Sequence, residues 1–151
     1  DRSVAANLRH ALAAHGVPRA ARAGAAEALL ERAGLADLAS RPARRLAPGE
    51  ARRLALVRAL AGAPRLLLLE APTEGLAPDD ARPIESLIAR LAGEGVEIVL
   101  SAGDRGPALR LADHAAVLHR GRVAEAGPAS EVLRHPRSEA ARAWLSGRLP
   151  A

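Results

Sequence analysis

No lysine occurs in the 151 residues; all 22 basic side chains are arginine. A phosphate site that depends on a lysine ammonium therefore cannot be built from this chain alone. Cysteine is also absent, which excludes disulfides, thiol catalysis and cysteine-bound zinc. Phenylalanine, tyrosine and methionine are missing, and Trp144 is the single aromatic residue. No apolar run approaches the roughly 18 to 20 residues that a membrane-spanning helix needs. The opening DRSVAANLRH has neither the pattern of a signal peptide nor an initiating Met, so it reads as the interior of something longer.

What is present is mostly small and aliphatic: 38 Ala and 24 Leu. The mass of 15.6 kDa suffices for one modest domain or part of a larger one. A net charge of +5 would ordinarily point to nucleic acid. Here the arginines are scattered among 17 carboxylates and stacking aromatics are missing. The composition is that of a biased coding sequence, and no nucleic-acid partner is expected.

The first third reads helical. Ser3 can cap a helix to about Ala14 that Gly16 ends, and Pro18 suits the first turn of a second helix that stops at Gly34. Leu29, Leu30 and Ala33 share a face with Ala25 and Ala26. Pro48 and Gly49 open a third helix to about Gly62 that buries Leu54, Val57, Leu60 and Ala61. Beyond Pro64 the pattern changes. Leu66–Leu69, bounded by prolines, predicts a buried parallel strand, and Val96–Leu100 a second, with a helix between them from about Pro78 to Ala92. A short helix near 106–112 leads to strands at 115–119 and 122–125, and Arg120-Gly121 suits a tight hairpin. Helices near 128–134 and 137–147 close the chain, with Trp144 packing the last. The expected class is α/β: a parallel sheet with helical cover, preceded by an all-helical segment.

Residues Leu46-Ala47-Pro48-Gly49-Glu50, followed by ARRLALVRALAGAPRLLLLEAPTEGLAPDD, closely resemble the ATPase subunits of ABC transporters. In that family an LSGGQ signature opens a helix, and a strand then ends in Asp-Glu-Pro-Thr. Arg53, Val57-Arg58-Ala59-Leu60, Pro64-Arg65, Pro72-Thr73, Leu76 and Pro78 fall in register. Downstream, Leu111-Ala112-Asp113, Arg120-Gly121-Arg122 and Gly127-Pro128 match the segment that follows the family's switch histidine. Upstream, Ser3-Val4-Ala5-Ala6-Asn7-Leu8 resembles the start of its helical subdomain. The resemblance covers essentially the whole chain, and ordered matches at correct spacing carry it where no single motif would.

The resemblance implies a P-loop NTPase-like (RecA-like) core whose first strands and lysine-bearing phosphate loop lie upstream of this sequence. It divides the chain into a helical signature subdomain, 1–62, the later core sheet, 63–127, and C-terminal helices, 128–151. It also implies a degenerate site. Ala47, Pro48, Gly49 and Glu50 occupy the signature, with the Ser hydroxyl lost at Ala47 and one backbone N–H lost at Pro48. Pro remains compatible with a helical first turn, so the helix N-terminus and its dipole survive. Gly49 reads more as helix-start geometry than as a phosphate contact. Glu70 replaces the metal-side Asp; it can reach Mg²⁺ through water, although its extra methylene shifts the carboxylate. Alone it could equally be a solvated strand-end residue. Ala71 stands where a Glu would polarise the attacking water, and Gly103 where the switch histidine would stand. Ala77 replaces the Asp used across the dimer interface. Glu74 is discounted as a substitute base because Pro72-Thr73 turns the chain. His10, His15, His114, His119 and His135 lack metal-ligand spacing and read as surface residues.

The function implied is that of a partial, catalytically degenerate ABC transporter ATP-binding subunit energising, or formerly energising, bacterial solute import. Its family cofactors are ATP and Mg²⁺, with none expected to bind this chain alone. The implied partners are a transmembrane permease and a second ATP-binding subunit, as homo- or heterodimer, at the cytoplasmic face of the cell membrane. The ending RHPRSEAARAWLSGRLP resembles importers of small oxyanions. The alternative is a non-enzymatic module that docks on a permease or partner ATPase and regulates it.

Overall fold

Ser3 stands in extended conformation before the first helix, and its hydroxyl accepts the Ala6 N–H at 3.3 Å. That cap satisfies one of the orphan donors at the start of α1 (Val4–Ala14). The computed structural model of the protein describes residues 2–147. It divides into two compact units, Asp1–Ser101 and Ala102–Ala151.

In the first unit, α1 is followed by α2 (Arg22–Ala33), α3 (Pro48–Ala59), β1 (Leu66–Leu69), α4 (Pro78–Gly93) and β2 (Glu97–Leu100), with short 3-10 turns at Ala36–Leu38, Ala43–Arg45 and Leu60–Gly62. Helix α2 begins four residues later than Pro18 suggests. Pro18–Ala21 closes as a separate turn, with Ala21 N–H donating to Pro18 O at 2.9 Å, and the Arg22 guanidinium reaches back to Val17 O at 2.7 Å. Gly34 ends α2 at φ 62°, a left-handed conformation open to glycine. The Arg53 guanidinium then donates to the freed carbonyls of Ala33 and Gly34. Every i, i+4 step along α1 is buried: Val4, Leu8 and Leu12. They pack with Ala26, Leu30 and Ala33 of α2 and Leu54, Leu56 and Val57 of α3, while Ile84, Leu87, Ile88 and Leu91 line α4. On α3, Leu56 is buried where the periodicity suggested Leu60, which is half-buried in the tighter 3-10 turn.

Strands β1 and β2 pair in parallel, Leu66 opposite Glu97 through Leu69 opposite Leu100. The crossover through α4 that parallel pairing requires is present. The expectation of a wholly buried strand is corrected. Leu67 is buried, but Leu66 and Leu68 stand 47% and 73% exposed, and Val99 of β2 58%. Side chains alternate across a strand; one face of this two-stranded sheet is covered and the other is bare.

In the second unit, α5 (Arg105–Leu111) leads into β3 (His114–His119), which pairs antiparallel with β4 (Arg122–Pro128). The turn between them places Arg120 at φ 49° and Gly121 at φ 74°, the paired positive values of a tight hairpin. Helices α6 (Ala129–Arg134) and α7 (Glu139–Leu145) follow. Val117, Ala129, Val132, Leu133 and Ala141 form a small core against which Trp144 packs. The expected C-terminal stretch ends in Arg148–Ala151, outside the described residues.

Truncation separates the two kinds of leucine. Leu8→Ala, at a fully buried position, should cost about 2–4 kcal/mol in denaturant unfolding. Leu68→Ser should change stability by less than about 0.5 kcal/mol while lowering self-association in light scattering, because it removes apolar surface already in water.

Candidate functional site

Helix α3 starts at Pro48, whose ring presets the helical φ and whose missing N–H would have no intrahelical partner there. Ala47, the N-cap residue, has no side-chain oxygen to offer. The reciprocal half of a capping arrangement is present: the Ala47 N–H donates to Glu50 Oε2 at 2.8 Å. Arg41 lies 3.7 Å from the same oxygen. The four signature-position residues are thus gathered in one turn, with Glu50 engaged in holding that turn together. Gly49 is buried against α4. A Cβ placed on it would lie 3.0 Å from Asp80 Cβ and 3.3 Å from Asp80 Oδ1. The need for glycine here is a close approach between two helices, a reason additional to the helix-start geometry read from the sequence.

The strand-end residues follow β1. Glu70 is exposed beyond the last strand residue. Ala71 adopts φ 43°, a left-handed conformation that costs a side-chain-bearing residue roughly 1–2 kcal/mol. Its N–H donates to Ser101 Oγ at 2.9 Å, and its carbonyl accepts from the Arg52 guanidinium. A second Arg52 nitrogen donates to Glu74 O at 3.3 Å. The loop then turns, with Glu74 N–H to Ala71 O at 3.2 Å and Leu76 N–H to Thr73 O at 3.3 Å. The Glu74 carboxylate is exposed. Ala77 ends the loop as the N-cap of α4 without a side-chain hydrogen bond.

Arg52 and Ser101 were not singled out in the sequence. Arg52 is one arginine among 22, and its partners are backbone carbonyls, which no sequence pattern names. Ser101 lies just past the apolar run of β2, where a hydroxyl at a strand end was the available signal.

Gly103 belongs to the second unit and is exposed in the turn before α5, where Asp104 caps the helix by accepting the Gly106 N–H at 3.0 Å. Also in that unit, an open hollow of about 650 Å³ is lined by Glu125, Gly127, Val132 and Ser138, among others. Glu125 accepts backbone N–H groups from Ser138 at 2.8 Å and Arg137 at 3.0 Å. These hydrogen bonds, Ser138 first and then Arg137, hold its carboxyl below the ordinary carboxylate value. They tie β4 to the start of α7.

These residues offer a metal–nucleotide complex few ligands. Octahedral Mg²⁺ bound to phosphates takes one or two protein carboxylates among its oxygen ligands. Among the described residues no group of three or more His, Asp or Glu side chains gathers as a metal site. His10, His15, His114 and His135 are exposed and His119 is half-buried. A methyl at Ala71 accepts no proton, Gly103 has no side chain, and these 151 residues hold no lysine.

Two changes probe this geometry. Gly49→Ala should destabilise by about 1–2 kcal/mol, because the new methyl must displace Asp80. In an Asp80→Gly background that loss should shrink, as read by paired denaturant curves. Glu125 gives a pH signature. Its folded carboxyl titrates below the unfolded value, so its contribution is complete above about pH 4.5 and is lost as pH falls through the lowered folded value. Thermal unfolding followed by Trp144 fluorescence at pH 7 and pH 3 should show a smaller acid-induced loss in Glu125→Gln than in the parent.

Comparison with known proteins agrees with the order of these elements. Residues 2–74 match the family model described as ABC transporter. A phosphate import ATP-binding protein, PstB 2 of Natronomonas pharaonis, is 40% identical over 120 residues, 80% of this chain and 42% of that protein. The methionine import ATP-binding protein MetN 1 of Rhodococcus jostii is 38% identical over 139 residues, 91% of this chain and 41% of its own length. The chain thus spans less than half the length of these curated relatives. Among solved structures, cbiO1 of Clostridium perfringens, part of the ABC transporter complex cbiONQ, superposes with a TM-score of 0.79 at 27% identity, over 88% of this chain and 53% of that one. An ATP-binding cassette of an ABC transporter in its ADP conformation shares the fold, with a TM-score of 0.77 at 22% identity over 93% of this chain and 62% of that chain.

Proposed function

The chain belongs to the ABC transporter family, and on that premise we propose that it is part of a catalytically degenerate ATP-binding subunit of a bacterial importer. Subunits of this family use ATP and Mg²⁺, dimerise, and work with a transmembrane permease. The observation that carries the reading is Ala71. The loop after β1 is built and held by hydrogen bonds from two flanking elements, yet a methyl stands where the resemblance places the water-polarising Glu. Losing a general base costs about 10² to 10⁴ in rate. Glu70 stands exposed where the resemblance places the metal-side carboxylate, and Ala47-Pro48-Gly49-Glu50 keeps the helix start without the signature's hydroxyl and without the N–H that Pro48 lacks.

Import is supported by the names of the phosphate and methionine import relatives. The proposed partners are a permease and a second ATP-binding subunit, at the cytoplasmic face of the membrane; among the described residues no helix is long and apolar enough to cross it. The residues 1–62 serve as the permease-facing helical subdomain, 63–127 as the later part of the core and 128–151 as the C-terminal segment that carries α6 and α7. One observation favours a second role. Val4, Leu8, Leu30, Leu54 and Val57 give the helical part a buried core of its own, and a module that docks on a permease or partner ATPase without nucleotide would need such a core.

Titration of the isolated chain with ATP·Mg²⁺ in a calorimeter should give no binding heat, and phosphate release should stay at background. Micromolar affinity would overturn the reading. Ala71→Glu combined with Gly103→His should remain inactive, since no lysine is supplied; recovered turnover would show that the base and the switch residue were the limiting loss.

A further inference from the structure

We propose that Arg52 and Ser101 are positioning residues that jointly impose the left-handed backbone at Ala71 and so set the course of the loop from β1 to α4. Alanine avoids positive φ, because its Cβ crowds the following carbonyl oxygen. A residue stays there only when its surroundings over-determine it. Both peptide groups of Ala71 are taken up. Its N–H donates to Ser101 Oγ at 2.9 Å, and its carbonyl accepts from Arg52. Ser101 is itself fixed, because its N–H continues the β1–β2 ladder to Leu69 O at 2.9 Å. Arg52 sits one turn into α3, and its fork also reaches Glu74 O at 3.3 Å. One guanidinium thus brackets both ends of the turn 71–74, with the strand hydroxyl holding the near side.

The planar fork matters here. Two nitrogens of a rigid guanidinium reach two carbonyls at once, whereas a lysine ammonium is a single point on a flexible stem. The direction in which residue 71 projects is therefore set by α3 and β2 rather than by the loop's own sequence. This assignment concerns the backbone and stands apart from the nucleotide reading: each can fail without the other.

The test is hydrogen exchange at the Glu74 and Leu76 amides, which close the turn onto Ala71 O and Thr73 O. Arg52→Ala should speed Glu74 exchange by about tenfold while the amides of Leu8 and Leu12 in α1 stay unchanged. Arg52→Lys should recover at most part of that protection, and Ser101→Ala should act in the same direction as Arg52→Ala. Glycine adopts the left-handed conformation without help, so in an Ala71→Gly background the effect of Arg52→Ala should fall below about threefold. An equal effect of Arg52→Ala in both backgrounds would overturn the proposal, as would unaltered Glu74 exchange in Arg52→Ala.

Discussion

The burial of α3 is the constraint on which the first unit depends. Helix α3 is packed against α1, α2 and α4, and Leu54, Leu56 and Val57 are its buried aliphatic side chains. Once that helix is fixed, its start sets how closely α4 approaches, because Gly49 lies against Asp80. Its second turn then sets the loop after β1 through Arg52. Arg53, next along, closes the end of α2 by taking the Ala33 and Gly34 carbonyls. Three consecutive functions of one helix face thus follow from a short apolar stripe of aliphatic side chains. The polar contacts act mainly to orient what the burial has already assembled.

Scaffold and chemistry rest on different residues in this chain. Residues 2–74, which include α1, α3 and β1, match the family model, and the fold of 88% of the chain superposes on cbiO1. The positions that the resemblance assigns to phosphate, metal or water carry Ala47, Pro48, Ala71 and Gly103, side chains without a carboxylate, hydroxyl or imidazole. A methyl in place of a carboxylate at the half-buried Ala71 leaves the buried core untouched, because core packing and site chemistry rest on different residues.

Much of the fold was legible because its signals are local. Ser3 as a cap, Gly34 as a helix stop, Pro48 as a helix start and Arg120-Gly121 as a hairpin turn each act within a few residues of themselves. The start of α2 was misplaced because Pro18 is equally at home in a free-standing turn, and the choice was made by the Arg22 contact to Val17. Four consecutive leucines in β1 gave no period to divide inward from outward positions, so the exposure of Leu66 and Leu68 could not be read from them. At the candidate site, residue types were visible from the motif, but the hold of Arg52 and Ser101 on Ala71 depends on backbone atoms brought together over 19 and 30 positions.

The uncovered side of the β1–β2 pair has a consequence for lifetime rather than for melting. While Leu66, Leu68 and Val99 stay uncovered, they form the kind of greasy surface by which quality-control machinery recognises chains not yet finished. Chaperones and proteases compete for such a surface until another polypeptide shields it. Whatever covers that face, further chain or another polypeptide, withdraws the same apolar surface from water without changing a bond within the helices.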